Sequence, residues 1–411
     1  MGAKLWIILI FLFISLLKMG LLLVHYRSAK NPIPENVADV YDKDTYLKWQ
    51  NYHGETSRLS MLESLAATLM MTLFLVFDIH AKVANLFGDG FFALVLAVVF
   101  FDVITETVLS LPFGYYRTMK IEEKYGFNRS SKSTFVKDTI IGFVVSSVVT
   151  CLIVLAIYLS HMWLGNFMAI LLSVFLCIFV LFANLLFPYL SRLQNKFTPL
   201  EEGSLRDKLT TLLTSHGYTV KDILVMDASR RTTKSNAYFS GFGKEKRIVL
   251  FDTLLSAMDE DEICAVFAHE LGHGIHHDIP KLLCMSCLNM IFTALLAWGV
   301  LAIPAICTAF GFAGLNYGFA FSILGTVALP LVSQAYGIFV NAVSCRAEYK
   351  ADAQAVTEGY GQALISGLKK LSRENFSHLS PSPLVVALEY NHPPLSQRIS
   401  AITNALQKSQ S

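Results

Sequence analysis

Charge is scarce in this 411-residue sequence: Asp, Glu, Lys and Arg make up 16% of it, against 54% hydrophobic residues. A soluble globular domain carries about 25% charged residues, so the shortage points to a chain that lives in a bilayer. The net charge is only +2 at pH 7 and no long basic run occurs. Little is left to neutralise a phosphate backbone, and nucleic acid is excluded as a partner. The seven cysteines (Cys151, Cys177, Cys264, Cys284, Cys287, Cys307, Cys345) are odd in number and sit mostly in apolar stretches, as small hydrophobes in a reduced setting do. Cys284-x-x-Cys287 has no second CxxC, and helix packing in the apolar run it opens explains it better than metal. The apolar stretch from Leu5 to Val24 has no small-residue cleavage site and reads as a retained signal anchor. Trp6 stands where N-myristoylation needs Ser or Thr. No internal repeat or low-complexity stretch marks a linker.

What is present is a series of apolar segments long enough to span a membrane. After the anchor come Met61 to Phe77, Phe91 to Leu111, Thr139 to Leu159, Asn166 to Phe187, Leu283 to Ile306 and Gly318 to Ala342, which makes seven spans. Basic residues collect in alternate loops. Arg27, Lys30, Lys43, Lys48 and Arg58 lie in the first loop, and Arg117, Lys120, Lys124, Arg129, Lys132 and Lys137 in the third. The second loop has only Lys82, and the fourth and sixth have no Lys or Arg. The asymmetry predicts a lumenal N-terminus and a cytosolic C-terminus.

Two polar segments then share the cytosolic face, Pro188 to Lys281 and Cys345 to Ser411, and can form one split domain. The expected division is 1–187 for spans one to five, 188–282 for the first part of the catalytic domain, 283–344 for spans six and seven, and 345–411 for its C-terminal part. Lys208 to Gly217 reads as a helix. Ile223 to Met226, Ala237 to Ser240 and Arg247 to Phe251 read as short strands punctuated by Gly241 and Gly243. Within the spans, Asp102 and Glu106 share a helix face at i, i+4. An ionisable group in hydrocarbon costs at least about 2.5–3.5 kcal/mol. These two are therefore expected to pair with Lys18 or to line a hydrated interior.

The chemistry-bearing string is His269-Glu270-Leu271-Gly272-His273, on a helix predicted from Asp259 as N-cap. Two histidines at i and i+4 converge on one metal, and Glu270 is placed as general base toward water. A third ligand is needed. The position six residues after the second histidine is Ile279, which excludes the metzincin pattern. His276 would lie about 10.5 Å along an unbroken helix from His269, a poor fit, and His277 fits no better. Glu348, with Asp352 at i+4, supplies a carboxylate ligand and a partner able to orient a ligand histidine.

The chain resembles the type I CAAX prenyl proteases, integral-membrane zinc metalloproteases related to bacterial heat-shock membrane proteases. The resemblance rests on the HELGH helix, Glu348-x-x-Ala351-Asp352, Asn195 to Gly203, Ser235 to Phe239, Ile121 to Asn128, and His392-Pro393-Pro394 with Arg398. It implies a mainly α, multi-pass fold: seven helices forming a barrel around a hydrated chamber, closed on the cytosolic side by a split gluzincin-like domain with a small β-sheet. It implies one Zn2+ per chain and removal of the C-terminal tripeptide from prenylated CaaX proteins at the endoplasmic reticulum membrane. It also implies that His392 stabilises the oxyanion, that Arg398 supports that site, and that the strand at Asn236 and Ala237 pairs with extended substrate. Asp278 departs from the pattern, since His is expected there in many eukaryotic relatives. Two other readings compete: a membrane quality-control protease acting on unprenylated or translocon-clogging proteins, and a transporter with a vestigial metal site.

Overall fold

A computed structural model describes residues 2–88, 90–240 and 245–410, with side chains at all of these except 91, 187–194, 220–221, 239–240, 245–247 and 410. Gly241 and Gly243 lie outside the described residues. The fold is mainly helical, and six helical runs are long and apolar enough to cross a membrane: Gly2–Ser28, Lys43–Val76, Phe92–Tyr125, Lys132–Leu186, Asp278–Leu301 and Tyr317–Thr357. Their most apolar windows are only 6–28% buried in the protein. Large side chains such as Leu16, Leu65, Val108, Ile140, Ile170 and Phe339 are thus more than half exposed, and lipid is the solvent that removes them from water.

Local sequence sets where these helices begin and turn. Asp42 caps Lys43–Val76 by accepting from the Thr45 amide at 2.8 Å, and Ser131 caps Lys132–Leu164 through the Thr134 amide at 3.1 Å. The fourth apolar run contains two helices, Lys132–Leu164 and Met168–Gln194, joined by the 3-10 turn Gly165–Phe167. Gly165 has φ +51, a conformation open to a residue without Cβ, and the two helices pack against each other. The third span runs beyond the expected Leu111, through Pro112 to Tyr116 and on into the π-helical Arg117–Glu122.

The expected pairing of the charges inside the spans with Lys18 is corrected for Asp102. Asp102 partners not Lys18 but His80, at 2.8 Å, on the short helix Ile79–Asn85 that packs against the third span. Glu106 and Lys18 are exposed.

Outside the spans a four-stranded sheet forms in the order β1-β2-β4-β3, from β1 (Phe197–Pro199), β2 (Thr219–Met226), β3 (Ala237–Ser240) and β4 (Glu245–Phe251). β2 and β4 are parallel and the outer pairs antiparallel, which leaves β3 on an edge. The three expected strands are present, with β2 and β4 longer than expected. β1 is additional, and the expected helix at Lys208 runs Ser204–Ser215. One hydrophobic core joins the sheet (Ile223, Ile248, Leu250), the HELGH helix (Ile263, Phe267, Leu271) and the C-terminal segment (Leu364, Leu395, Ile402). Val37, Tyr41 and Trp49, from the first loop and the start of the second span, enter the same core.

A cluster of histidines fastens the C-terminal segment to the first two membrane helices. The rings of His25, His53 and His378 lie 4.8–5.6 Å apart, and Trp49 donates to the Phe376 carbonyl at 3.0 Å. His378 Nδ1 accepts from the Ser380 amide at 3.2 Å, so its Nε2–H faces the Ser28 hydroxyl at 2.8 Å. The first of these contacts requires the neutral ring. Burial, and then the neighbouring His53 and His25, press the His378 imidazole down to about 3. The unfolded chain takes up this proton near pH 6.5 while the folded chain does not. Stability present above that pH is therefore lost as the pH falls toward 3. The apparent Tm of the wild type should drop more between pH 7.5 and 5 than that of His378→Gln. Equal drops would remove His378 from the acid sensitivity.

Candidate metal centre

The helix carrying the HELGH string, Glu260–Ile275, is built to start where it does. Asp259 and Glu262 form a capping box, with each side chain accepting from the other's amide at 2.9–3.0 Å. Glu262 is buried, and Lys370 and Ser366 satisfy its carboxylate at 2.5 Å each. The helix ends at Ile275, with His276 as cap, and His277 turns the chain through φ +54 into Asp278–Leu301. The helix is thus broken before His276 and His277. Neither belongs to the candidate metal group found among the described residues.

That group is His269, His273 and Glu348, with one ligand atom from each lying within 4.8 Å of the others. Glu348 arrives on the helix Leu329–Thr357, which packs directly on the HELGH helix. Gly272 makes this approach possible. A Cβ placed there would meet Ala351 Cα at 2.8 Å and Gln354 Cβ at 3.0 Å.

Proton positions identify what the group can hold. His269 Nδ1 lies 2.9 Å from Asp352 Oδ1 and His273 Nδ1 lies 3.1 Å from Asp278 Oδ2. A carboxylate only accepts, so both Nδ1 atoms carry a proton, and in the neutral, metal-binding form of each ring Nε2 presents the lone pair. Those lone pairs face Glu348, His269 Nε2 at 3.5 Å from Oε2 and His273 Nε2 at 3.3 Å from Oε1. Glu348 is 3% exposed, and its Oε2 has no hydrogen-bond partner. Arg398 Nη1 comes within 3.3 Å of that oxygen, near enough for attraction but outside hydrogen-bonding geometry. Three electron-pair donors turned toward one another repel unless a cation lies between them, and two imidazoles with a carboxylate are a donor set that suits zinc. Burial opposes charge on His273, yet Glu348 and then Asp278 lift it to about 9. The surroundings favour positive charge at that point.

The other expected residues gather around this centre. Glu270, next to His269, is partly exposed, and no side chain among the described residues hydrogen-bonds its carboxylate. His392 is 60% exposed and reaches Glu348 Oε1 through Nδ1 at 2.9 Å. Arg398 grips Asp352 with Nε at 2.9 Å and Nη2 at 2.6 Å. Asn236 precedes β3, its side-chain oxygen accepting from the Ala237 amide, and β3 packs against the HELGH helix. Ser235, just before it, is bonded through both its amide and its carbonyl to the Asn375 side chain.

Residues 22–192 match the family described as CAAX prenyl protease N-terminal, five membrane helices, and residues 199–406 match peptidase family M48. The chain belongs to peptidase family M48. Among similar proteins, the CAAX prenyl protease 1 homolog of Oryza sativa subsp. japonica is 32% identical over 92% of this chain and 92% of its own length. The Arabidopsis thaliana homolog is 38% identical over 72% of this chain and 70% of its own, and CAAX prenyl protease 1 of Saccharomyces cerevisiae is 27% identical over 93% and 91%. The crystal structure of S. mikatae Ste24p superposes with a TM-score of 0.90 at 26% identity, covering 98% of this chain and 99% of that one. This M48 peptidase is therefore a multi-pass membrane metalloprotease with the Ste24 fold, and its family implies a bound metal, usually zinc.

Sequence reasoning noted Asp278 only as a departure and gave Gly272 no role. Asp278 could have been suspected from its place as the first acid after the two histidines. Nothing in the string HELGH itself reveals what Gly272 touches. Gly272→Ala should wedge the two helices apart, at a cost of about 1–3 kcal/mol, and weaken metal binding while every ligand remains. Chelator competition on the purified protein checks this. A zinc affinity equal to wild type would mean that the close crossing does not set the site.

Proposed function

We propose that this metalloprotease removes the C-terminal tripeptide from prenylated CaaX proteins, with zinc held by His269, His273 and Glu348. The observation that carries the reading is the convergence of two imidazoles and a carboxylate, next in the chain to Glu270, whose carboxylate no side chain among the described residues hydrogen-bonds. The CAAX prenyl protease names of its relatives supply the substrate class.

Zinc bound there supplies a Lewis acid toward the scissile carbonyl and lowers the pKa of water toward about 7. Glu270 takes the proton of the attacking water and returns it to the leaving amine. His392, exposed beside Glu348, donates a hydrogen bond to the oxyanion as charge develops on it. Asp352 holds the His269 ring, and Arg398, occupied by Asp352, supports that pair from behind. The edge strand β3 at Asn236 and Ala237 accepts an extended substrate through backbone hydrogen bonds once the Asn236 side chain releases the Ala237 amide, which suits sequences that vary in their side chains.

The membrane part is proposed to have seven spans, because the fourth apolar run holds two helices reversed at Gly165 and packed together. Asp102, Glu106 and Lys18 favour a hydrated chamber among these helices over a lipid-filled one. The proposed domain division is 1–187, 188–282, 283–344 and 345–411. The charge bias of the loops supports a cytosolic catalytic domain with the N-terminus in the lumen of the endoplasmic reticulum.

The deciding experiment offers a farnesylated CaaX peptide and its unprenylated twin to the purified protein. Zinc-dependent release of the tripeptide from the farnesylated form is expected, and Glu270→Gln should keep its zinc while losing turnover by about 10²–10⁴-fold. Equal cleavage of both peptides would replace the prenyl reading with a quality-control protease. Full activity in Glu270→Gln would remove it as the base.

A further inference from the structure

The two ligand histidines are held in the same way by different parts of the protein. His269 Nδ1 faces Asp352, which Arg398 of the C-terminal helix Leu395–Gln410 secures. His273 Nδ1 faces Asp278 Oδ2 at 3.1 Å, and Asp278 is the first residue of the apolar helix Asp278–Leu301. Asp278 is 4% exposed, and its second oxygen lies 3.3 Å from Lys281 Nζ. Lys281 also donates to the His276 carbonyl at 2.6 Å. The left-handed His277 between the two helices turns Asp278 back toward His273, and the carboxylate sits at a helix N-terminus, where negative charge is favoured.

We propose that Asp278 is a positioning residue for the metal centre, and the inference rests on the metal reading of His269, His273 and Glu348. By accepting the Nδ1–H of His273, it fixes the tautomer and rotation of that ring so that Nε2 faces Glu348. The metal site is thereby braced from two sides, by the C-terminal helix through Asp352 and by a membrane helix through Asp278. Without Asp278 the ring can rotate or exchange tautomers, and one of the three donors no longer converges. A carboxylate behind a metal-bound imidazole also makes it a stronger donor.

The test compares full-length wild type with Asp278→Asn and Asp278→Ala, reading zinc affinity by chelator competition, zinc dissociation rate, kcat and KM. Losing such a partner typically weakens metal binding about 10–100-fold. The alanine variant should fall in that range and release zinc faster. The asparagine variant, which keeps an acceptor oxygen and the helix start, should lie between it and wild type. Activity of the alanine variant should recover as zinc is added, through kcat rather than KM. If Asp278→Ala does not fold, the asparagine variant decides alone. A variant that is less heat-stable yet binds zinc within about twofold of wild type would overturn the proposal and leave Asp278 a helix-start acid. A wild type that binds no zinc would instead sink the metal reading itself.

Discussion

The architecture depends on two helices crossing with almost nothing between them. On Leu329–Thr357 the residues Ala347, Ala351 and Ala355 recur every four positions and are buried to within 8% exposure or less. The helix packs against Glu260–Ile275, and at Gly272 the backbone of Ala351 comes close enough to exclude a Cβ. Glu348 and Asp352 each follow one of these alanines by one residue. The same small residues that permit contact therefore deliver the carboxylates, one between the histidines and one behind His269. A larger side chain at any of these points would lengthen the interhelical distance and separate the donors.

Close packing brings charges together, and their balance is the second condition. Glu348, Asp352, Asp278 and Glu270 surround two imidazoles, and among the described residues Arg398 and Lys281 are the Arg and Lys side chains that pair with these acids. Four carboxylates against two cations leave a deficit that a divalent ion neutralises. Burying such a group without the ion is expensive, since removing one partner from a buried pair costs about 3–5 kcal/mol. The lift of His273 to about 9 expresses the same deficit as an appetite for a proton. Arg398, well buried and bonded twice to Asp352, keeps that acid from competing for the ion.

The parts of this arrangement that were legible in the sequence are those set by local pattern. Asp259 announced the helix start, the i, i+4 histidines announced the site, and Glu348 with Asp352 announced the second helix. The apolar runs marked the membrane segments, and alternation marked three strands. What stayed hidden depends on distant partners. Phe197–Pro199 is three residues long and contains proline, so it becomes a strand only because β2 offers it an edge. Asp102 takes its proton-bearing partner from His80, on a short helix that no strong periodicity signals. Gly272 has meaning only against Ala351, and Asp278 only once His277 adopts a left-handed turn. Local pattern thus picked out the candidate ligands, while tertiary contact supplied what holds them still.

The helix Leu329–Thr357 also gives the proposed lipid-modified substrate a physical rationale. It is one continuous element that carries apolar residues at its start and the metal-group carboxylate Glu348 near its end. At 1.5 Å per residue, Glu348 lies only about 9 Å beyond Ala342, where the apolar segment stops. In the proposed substrate the bond to be cut is next to the prenylated cysteine, so the lipid tether is short. A soluble protease with its metal far from the bilayer would have to extract the lipid before cutting. Here a prenyl group can stay among apolar helices while its adjacent peptide bond reaches the histidines. Keeping metal and membrane on one rigid helix fixes that distance without a hinge. The bracing of His273 by the first residue of a second membrane helix holds the other half of the site to the same frame.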